Sequence, residues 1–277
     1  MDHWSSAAYS SAASFVPKLT STVVQYLAPR PTDRILDIGC GDGILTAQVA
    51  AMVPSGQVLG LDASQSMIKA AQEKSASSNC TYRVQDCAAL LKSAPSDVLN
   101  GSWDKVFSNA ALHWILRYAE PKASVFEAVR EALKPDGVLV FEMGGAGNCA
   151  EIHAAMVAGL IARGIPTAEA HAASPWFFPS EAWMRKTLED VGLVVEKLET
   201  EYRPTKLTPK TEDGKGGLEG WLKLMCAPFL DKFKTQKEKD DVVRWVADLL
   251  DGIITRTEDG SQWMGYVRLR VIARKSA

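Results

Sequence analysis

A carboxylate stands at the mouth of a glycine turn. In "RILDIGCGDGILTAQVA", residues 34–50, Asp37 lies two residues before Gly39, the first of three alternating glycines that continue with Gly41 and Gly43. Small residues at such a turn let a ligand approach the backbone, and the helix behind it opens with free N–H groups. A dinucleotide would need G-x-G-x-x-G. Gly39 and Gly41 fit that spacing, but Ile44 takes the third place and Gly43 comes one residue early. A pyrophosphate beside Asp37 would also meet like charge. The turn suits a cationic, nucleotide-like ligand better than NAD; a tight turn with no ligand is the alternative.

Two further acids are spaced for such a ligand. Asp62 ends a second apolar segment, twenty-five residues after Asp37. A carboxylate there can accept hydrogen bonds from both ribose hydroxyls. Asp86 ends a third segment. It can accept from the exocyclic amine of a purine or cap a short helix from Cys87, and both readings stay open. Asn109, Ala110, His113 and Trp114 follow a fourth segment, where open α/β sheets bind ligands. His113 can touch a substrate or simply pack. His3, His153 and His171 lack metal-ligand spacing, so no metal is expected.

Toward the C-terminus, Trp176, Phe177, Phe178, Trp183 and Trp221 gather apolar bulk. Most are expected in the core, with one or two lining an apolar pocket. Arg203 and Arg268 are candidate carboxylate clamps, since a guanidinium matches a carboxylate in bidentate fashion; ordinary surface arginines are the alternative.

These residues need elements to position them. Residues 34–39, 57–64, 81–86 and the start of 103–114 read as strands, and "VLVFEM" as a fifth strand after a "KPDG" turn. Helical patterns fill 43–53, 65–75 (with Ser64 as cap) and 121–133. Nearly all-apolar strands alternating with helices predict a parallel sheet covered on both faces. After the break "GGAGN", helices are expected at 150–163, from Ser180 to about 191, and at 241–253, where Leu249 joins Val242, Val243, Val246 and Leu250 on one side. "LVVEKLETEY" and "YVRLRVIAR" read as strands, and 205–217 as a polar surface loop. The later helices read as a cap on the sheet.

Composition excludes several classes. A net charge of −2 and a pI near 6.1 lack the basic excess of a nucleic-acid binder. No apolar run reaches membrane-span length. The first seventeen residues carry Asp2, no Lys or Arg and no apolar core of signal-peptide type. Five scattered cysteines, Cys40, Cys80, Cys87, Cys149 and Cys226, form no C-x-x-C pair and fit free thiols. A cytoplasmic protein, monomer or homodimer, with a small-molecule partner, no nucleic acid and no membrane, is expected.

"ILDIGCGDG", Asp62, Asp86 and "LKPDG" together resemble the class I S-adenosylmethionine-dependent methyltransferases over about residues 32–143. The resemblance implies an α/β, Rossmann-like, seven-stranded, mostly parallel sheet with helices on both faces and a helical cap. It implies S-adenosyl-L-methionine as cofactor, its ammonium-bearing methionine part held by Asp37 and the glycines Gly39 and Gly41. Asp62 would hold the ribose, with Asp86 on the adenine side; Cys40, Ala63, Met67, Cys87, Asn109 and Ala110 complete the cofactor-binding set.

"DHWSSAAYSSAASF", "NAALHW", "WFFPSEAWMRKTLEDVGL" and "RVIARK" further resemble the trans-aconitate methyltransferase group, which methylates a small polycarboxylate. That implies an N-terminal lid over 1–30 carrying Trp4, Tyr9 and Phe15, a cofactor core over 31–145, and a cap with the final strands over 146–277. Substrate contacts would come from Tyr9, His113, Trp114, Trp176, Arg203, Trp221 and Arg268. "GGAGNCAEIHAAM" departs from the group's bulky polar stretch, which bears on the substrate and not on the cofactor. The expected reaction is carboxylate O-methylation of a small (poly)carboxylic acid such as trans-aconitate. The alternatives are O-, N- or S-methylation of a larger natural product, or cofactor binding without transfer. A carboxylate, with pKa near ~4, needs no general base; a phenol, near ~10, would need one, with His113 the nearest choice in a positioning or catalytic role.

Overall fold

The structure, a computed structural model, describes residues 21–210 and 216–277. Trp4, Tyr9 and Phe15 lie outside the described residues. Seven strands form one sheet: β1 (Arg34–Ile38), β2 (Gln57–Asp62), β3 (Cys80–Val84), β4 (Trp103–Asn109), β5 (Leu133–Gly144), β6 (Leu193–Lys206) and β7 (Trp263–Lys275). Their order is β3-β2-β1-β4-β5-β7-β6. The first five pair in parallel, and β7 runs antiparallel between β5 and β6. The strand order reverses between β1 and β4, and that switch point opens a crevice beyond their carboxyl ends. Gly39 follows β1 there and Ala110 follows β4.

The side-chain period of two divides β1 between both faces. Leu36 and Ile38 enter the core under α4 (Leu90–Ser93), α5 (Leu112–Tyr118), α6 (Ala123–Ala132) and α9 (Glu181–Asp190). Ile35 enters the opposite core with α1 (Ser21–Leu27), α2 (Ile44–Met52) and α3 (Gln65–Lys74). Asp37 shares the Ile35 side, so alternation carries a carboxylate into an otherwise apolar layer. A third core is the cap: α7 (Ala150–Ile161), α8 (Thr167–Ala172), α10 (Gly217–Met225), α11 (Ala227–Leu230) and α12 (Gln236–Ile254), packed around Trp176 and Trp221. No described helix is long and apolar enough to cross a membrane.

Several local expectations are corrected. "KPDG" lies inside β5, as a bulge between the pairs Trp103↔Leu133 and Lys105↔Val138, with Asp136 at φ 62°. The fourth strand, as expected, fills only the start of 103–114 and ends at Asn109, and residues 112–118 are helical. The stretch from 205 begins as strand: β6 runs to Lys206, and the Leu207 N–H donates to the Gln262 carbonyl. Helix α10 then starts at Gly217, a helix the sequence reading missed. On α12, which a capping box of Thr235 and Glu238 starts earlier than expected, Leu249 is 48% exposed and Ile254 takes the inward place, because helical spacing centres the buried face on Val243, Val246 and Leu250 and leaves Leu249 at its edge.

Candidate active site

The glycine turn is built by backbone strain and close packing. Gly39 has φ +75°, and a Cβ on it would come within 2.2 Å of the Ala111 Cβ. Gly43 has φ +77° and caps α2 against the Tyr82 ring. Gly41 differs. Its φ is +57°, yet a Cβ there would meet nothing within 4 Å. It borders open space, the position for a ligand to lie against the backbone.

Asp62 locks this turn from the next strand. Its Oδ2 accepts from the Gly41 N–H at 3.0 Å and its Oδ1 from the Ser64 N–H at 2.9 Å. Ser64 in turn caps α3 by accepting from the Met67 N–H. Asp37 is buried, and its Oδ2 accepts from Thr46 Oγ1 at 2.7 Å. Burial pushes its pKa up to about 7; the Thr46 bond pulls it down and the nearby Asp62 carboxylate adds to the rise. Asp86 caps the 3₁₀ turn Cys87–Ala89, its Oδ1 accepting from the Ala88 N–H at 2.9 Å, as the cap reading expects, and it also lines the cavity. Ala110 is held at φ +55° at the end of β4, its N–H bonded to the Glu142 carbonyl. The Oδ1 of Asn109 is buried with no hydrogen-bond partner among the described residues.

One cavity of about 800 Å³ joins these groups to the cap. Asp37, Gly39, Cys40 and Gly41 line one end, as do Asp62, Ala63, Met67, Asp86 and Cys87. Asn109 and Ala110 also border it. His113, Trp114, Trp176, Trp221 and Arg268 line the rest. Phe177 and Trp183 pack on each other, ring centroids 4.8 Å apart, against the sheet core instead.

The cap end has its own chemistry. Trp176 is its hub, stacked on Phe178 at 5.6 Å and edge-on to Trp114 at 5.7 Å. The Phe177 N–H donates to the His113 carbonyl, tying this segment to α5. The His113 ring is buried, and its Nδ1 accepts from the Gly144 N–H at 3.3 Å. Burial, helped by the Arg268 charge, pushes its pKa down to about 3. The ring is therefore neutral and carries its proton on Nε2. Arg268 is 4% exposed. Its guanidinium lies over the Tyr266 ring at 4.5 Å and its Nε is 3.7 Å from Glu142, with no hydrogen-bond partner for Nε among the described residues. Arg203 does not reach the cavity. Its Nη2 is bound to Glu142 at 3.0 Å, so the expected clamp is a strut of the sheet.

A methyltransferase domain model matches residues 35–137. An uncharacterized methyltransferase of Schizosaccharomyces pombe is 35% identical over 99% of this chain and 98% of its own length. The chain belongs to the class I S-adenosylmethionine-dependent methyltransferases. A trans-aconitate 2-methyltransferase of Methylobacterium nodulans is 27% identical over the full length of both chains. The fold is shared with Haemonchus contortus phosphoethanolamine N-methyltransferase 2, solved with phosphomonomethylethanolamine and S-adenosylhomocysteine. That similarity has a TM-score of 0.56 at 21% identity, over 98% of this chain and 56% of the other.

The cofactor of the methyltransferase is S-adenosylmethionine, and the residues fit it. Among the described residues the buried Asp37 carboxylate accepts only from a neutral hydroxyl and gains from a cation, the Asn109 oxygen has no partner and gains from a donor, and the Gly41 face is open. Several supports of the methyltransferase site escaped the sequence reading. Thr46 was legible only as a helix residue. Tyr266 and Arg270 sit two residues either side of Arg268 on β7, so period two was the signal available. Glu142 was an acid inside an apolar strand, a visible oddity.

Proposed function

We propose that this methyltransferase transfers a methyl group to a carboxylate oxygen of a small organic acid. The observation that carries the reading is Arg268: a buried guanidinium lining the cavity whose Nε has no hydrogen-bond partner among the described residues and whose nearest acid among them, Glu142, stands at 3.7 Å. A charge-assisted bond from such a group to a ligand carboxylate contributes about 1.5–3 kcal/mol. His113 supports the same class. With Nδ1 occupied by the Gly144 N–H, its Nε2–H donates and cannot accept a proton, so the ring orients an anion and does not deprotonate a phenol.

When bound, the cofactor would supply an electrophilic methyl group to a lone pair of the acceptor oxygen, with the bonding electrons left on its sulfur, so an ionised acid asks no proton transfer of the chain. The remaining work falls to the chain. Asp37, Asp62, Asp86 and the Gly41 backbone would hold the cofactor, and Arg268 and His113 would orient the acceptor. The cap would exclude water. Holding both reactants in line is worth roughly 7–11 kcal/mol. Trans-aconitate, the substrate in the name of the Methylobacterium relative, is one acid to try. The test is incubation with the cofactor and a panel of acids, with mass spectrometry of the products. A product that alkali cleaves back to the acid is expected. Products stable to alkali throughout would point to ether, amine or thioether formation and reject the reading.

A further inference from the structure

The charges around the cavity discriminate among acids. Five of its described lining residues are aspartates, Asp37, Asp42, Asp62, Asp86 and Asp231, and a single one is a strong base, Arg268. Asp231 lies on the cap side, with Lys239 at 3.0 Å. Arg268 itself is shared with Glu142. The site can therefore neutralise one acceptor carboxylate. A second or third carboxylate would leave water for an acceptor space with no further cation among the described lining residues, a transfer that burial penalises. The cap end of the cavity is lined mainly by apolar side chains, Trp114, Trp176, Phe178, Trp221, Leu224 and Pro228, with His113, Asn148 and Tyr266 as its polar groups beside Arg268.

From this imbalance we infer that the acceptor is a monocarboxylic acid with an apolar body, its carboxylate at Arg268 and its body against the Trp176 cluster. The inference rests on the carboxylate reading and narrows it. A polycarboxylate such as trans-aconitate is then a poor substrate, despite the resemblance of the chain to enzymes that use one. The aromatic walls provide what a small polar acid does not need, namely broad apolar contact at ring edges and faces.

The experiment compares trans-cinnamate, octanoate, trans-aconitate and 4-methylphenol as acceptors for the full chain with S-adenosylmethionine at saturation. A kcat/KM for cinnamate or octanoate at least about tenfold above that for trans-aconitate is expected. An equal or higher value for trans-aconitate overturns the inference and leaves carboxylate methylation standing. No ester from any of the three acids, with or without methylation of the phenol, overturns both. A second measurement adds a cation to the apolar wall. Leu224→Lys, checked for folding by its melting curve, is expected to shrink the preference for the monoacids by about tenfold. A folded variant with an unchanged preference shows that charge does not set specificity and rejects the inference.

Discussion

The Gly144 backbone N–H at the end of β5 donates to Nδ1 of His113 on α5 across 3.3 Å. That one bond fixes the tautomer of a buried ring whose pKa is pushed down to about 3. The ring is neutral at every pH at which the enzyme would be assayed, and it faces the cavity as a donor.

His113→Asn is expected to retain most activity, because an amide can accept from Gly144 and still donate. His113→Phe should lose about tenfold or more, the cost of removing one donor to a charged group. The rate with an acid acceptor should stay flat from about pH 7 to 9, since neither His113 nor the acceptor titrates there. A rate that climbs with pH and collapses 10²–10⁴-fold in His113→Asn would mark His113 as a general base.

The same ring makes stability pH-dependent. Unfolded histidine titrates near 6.5 and the folded ring near 3, so between those values the unfolded chain binds more protons. His113 therefore destabilises the fold as pH falls through that window, by about 2 kcal/mol at pH 5. Denaturant melts of wild type and His113→Asn at pH 5 and 7.5 check this. The difference between the two proteins should shift in favour of the variant at pH 5.

Asp37 titrates the other way. Its folded pKa, up to about 7 against 3.8 unfolded, means that the folded chain binds more protons above pH 4, so stability without cofactor falls as pH rises toward 7. A cation beside it favours the ionised form, so cofactor affinity should rise with pH up to about 7 and then level. Asp37→Asn keeps an acceptor for Thr46 and removes the buried charge. At pH 8 it should stabilise the cofactor-free protein, by no more than about 4 kcal/mol, while binding S-adenosylmethionine far more weakly. Thermal melts and calorimetry on the same samples test both halves; tight binding by the variant would refute the role assigned to the carboxylate.

The glycines of the turn separate folding from binding. Gly39→Ala drives a Cβ to 2.2 Å from Ala111 at positive φ and should lower the melting temperature strongly. Gly41→Ala meets no atom and costs only the left-handed backbone, about 1–2 kcal/mol. It should fold, yet bind the cofactor poorly, since its new methyl enters the cavity. If Gly41→Ala binds normally, the cofactor does not lie against that face.

Asp62 offers a graded version of the same test. Because it holds the Gly41 and Ser64 N–H groups, Asp62→Ala should open the turn as well as weaken the cofactor. Asp62→Asn keeps one acceptor oxygen. Its affinity loss should correspond to about 1.5–3 kcal/mol, with a smaller fall in melting temperature than Asp62→Ala. Calorimetric affinities equal to wild type in both folded variants would remove Asp62 from the cofactor site.

The glycine-turn end of the cavity was legible in the sequence because its information is local. Asp37 and the glycines occupy one turn, and Asp62, Asp86 and Asn109 each stand at or just after the end of a strand, so strand periodicity and the switch-point rule suffice to gather them. The seven-stranded sheet follows from the same alternation. The acceptor half is not local. Arg203 and Arg268 looked equivalent as residues. Only the antiparallel pairing of β6 with β7 and of β7 with β5 gives Arg203 to Glu142 and leaves the Nε of Arg268 without a hydrogen bond at the cavity. His113 was equally ambiguous, since donor or base depends on whether a backbone N–H from another strand reaches Nδ1. Charge, tautomer and access at these positions are set by neighbours more than thirty residues away in the chain, through desolvation and pairing that appear only when the sheet closes and the cap packs on it.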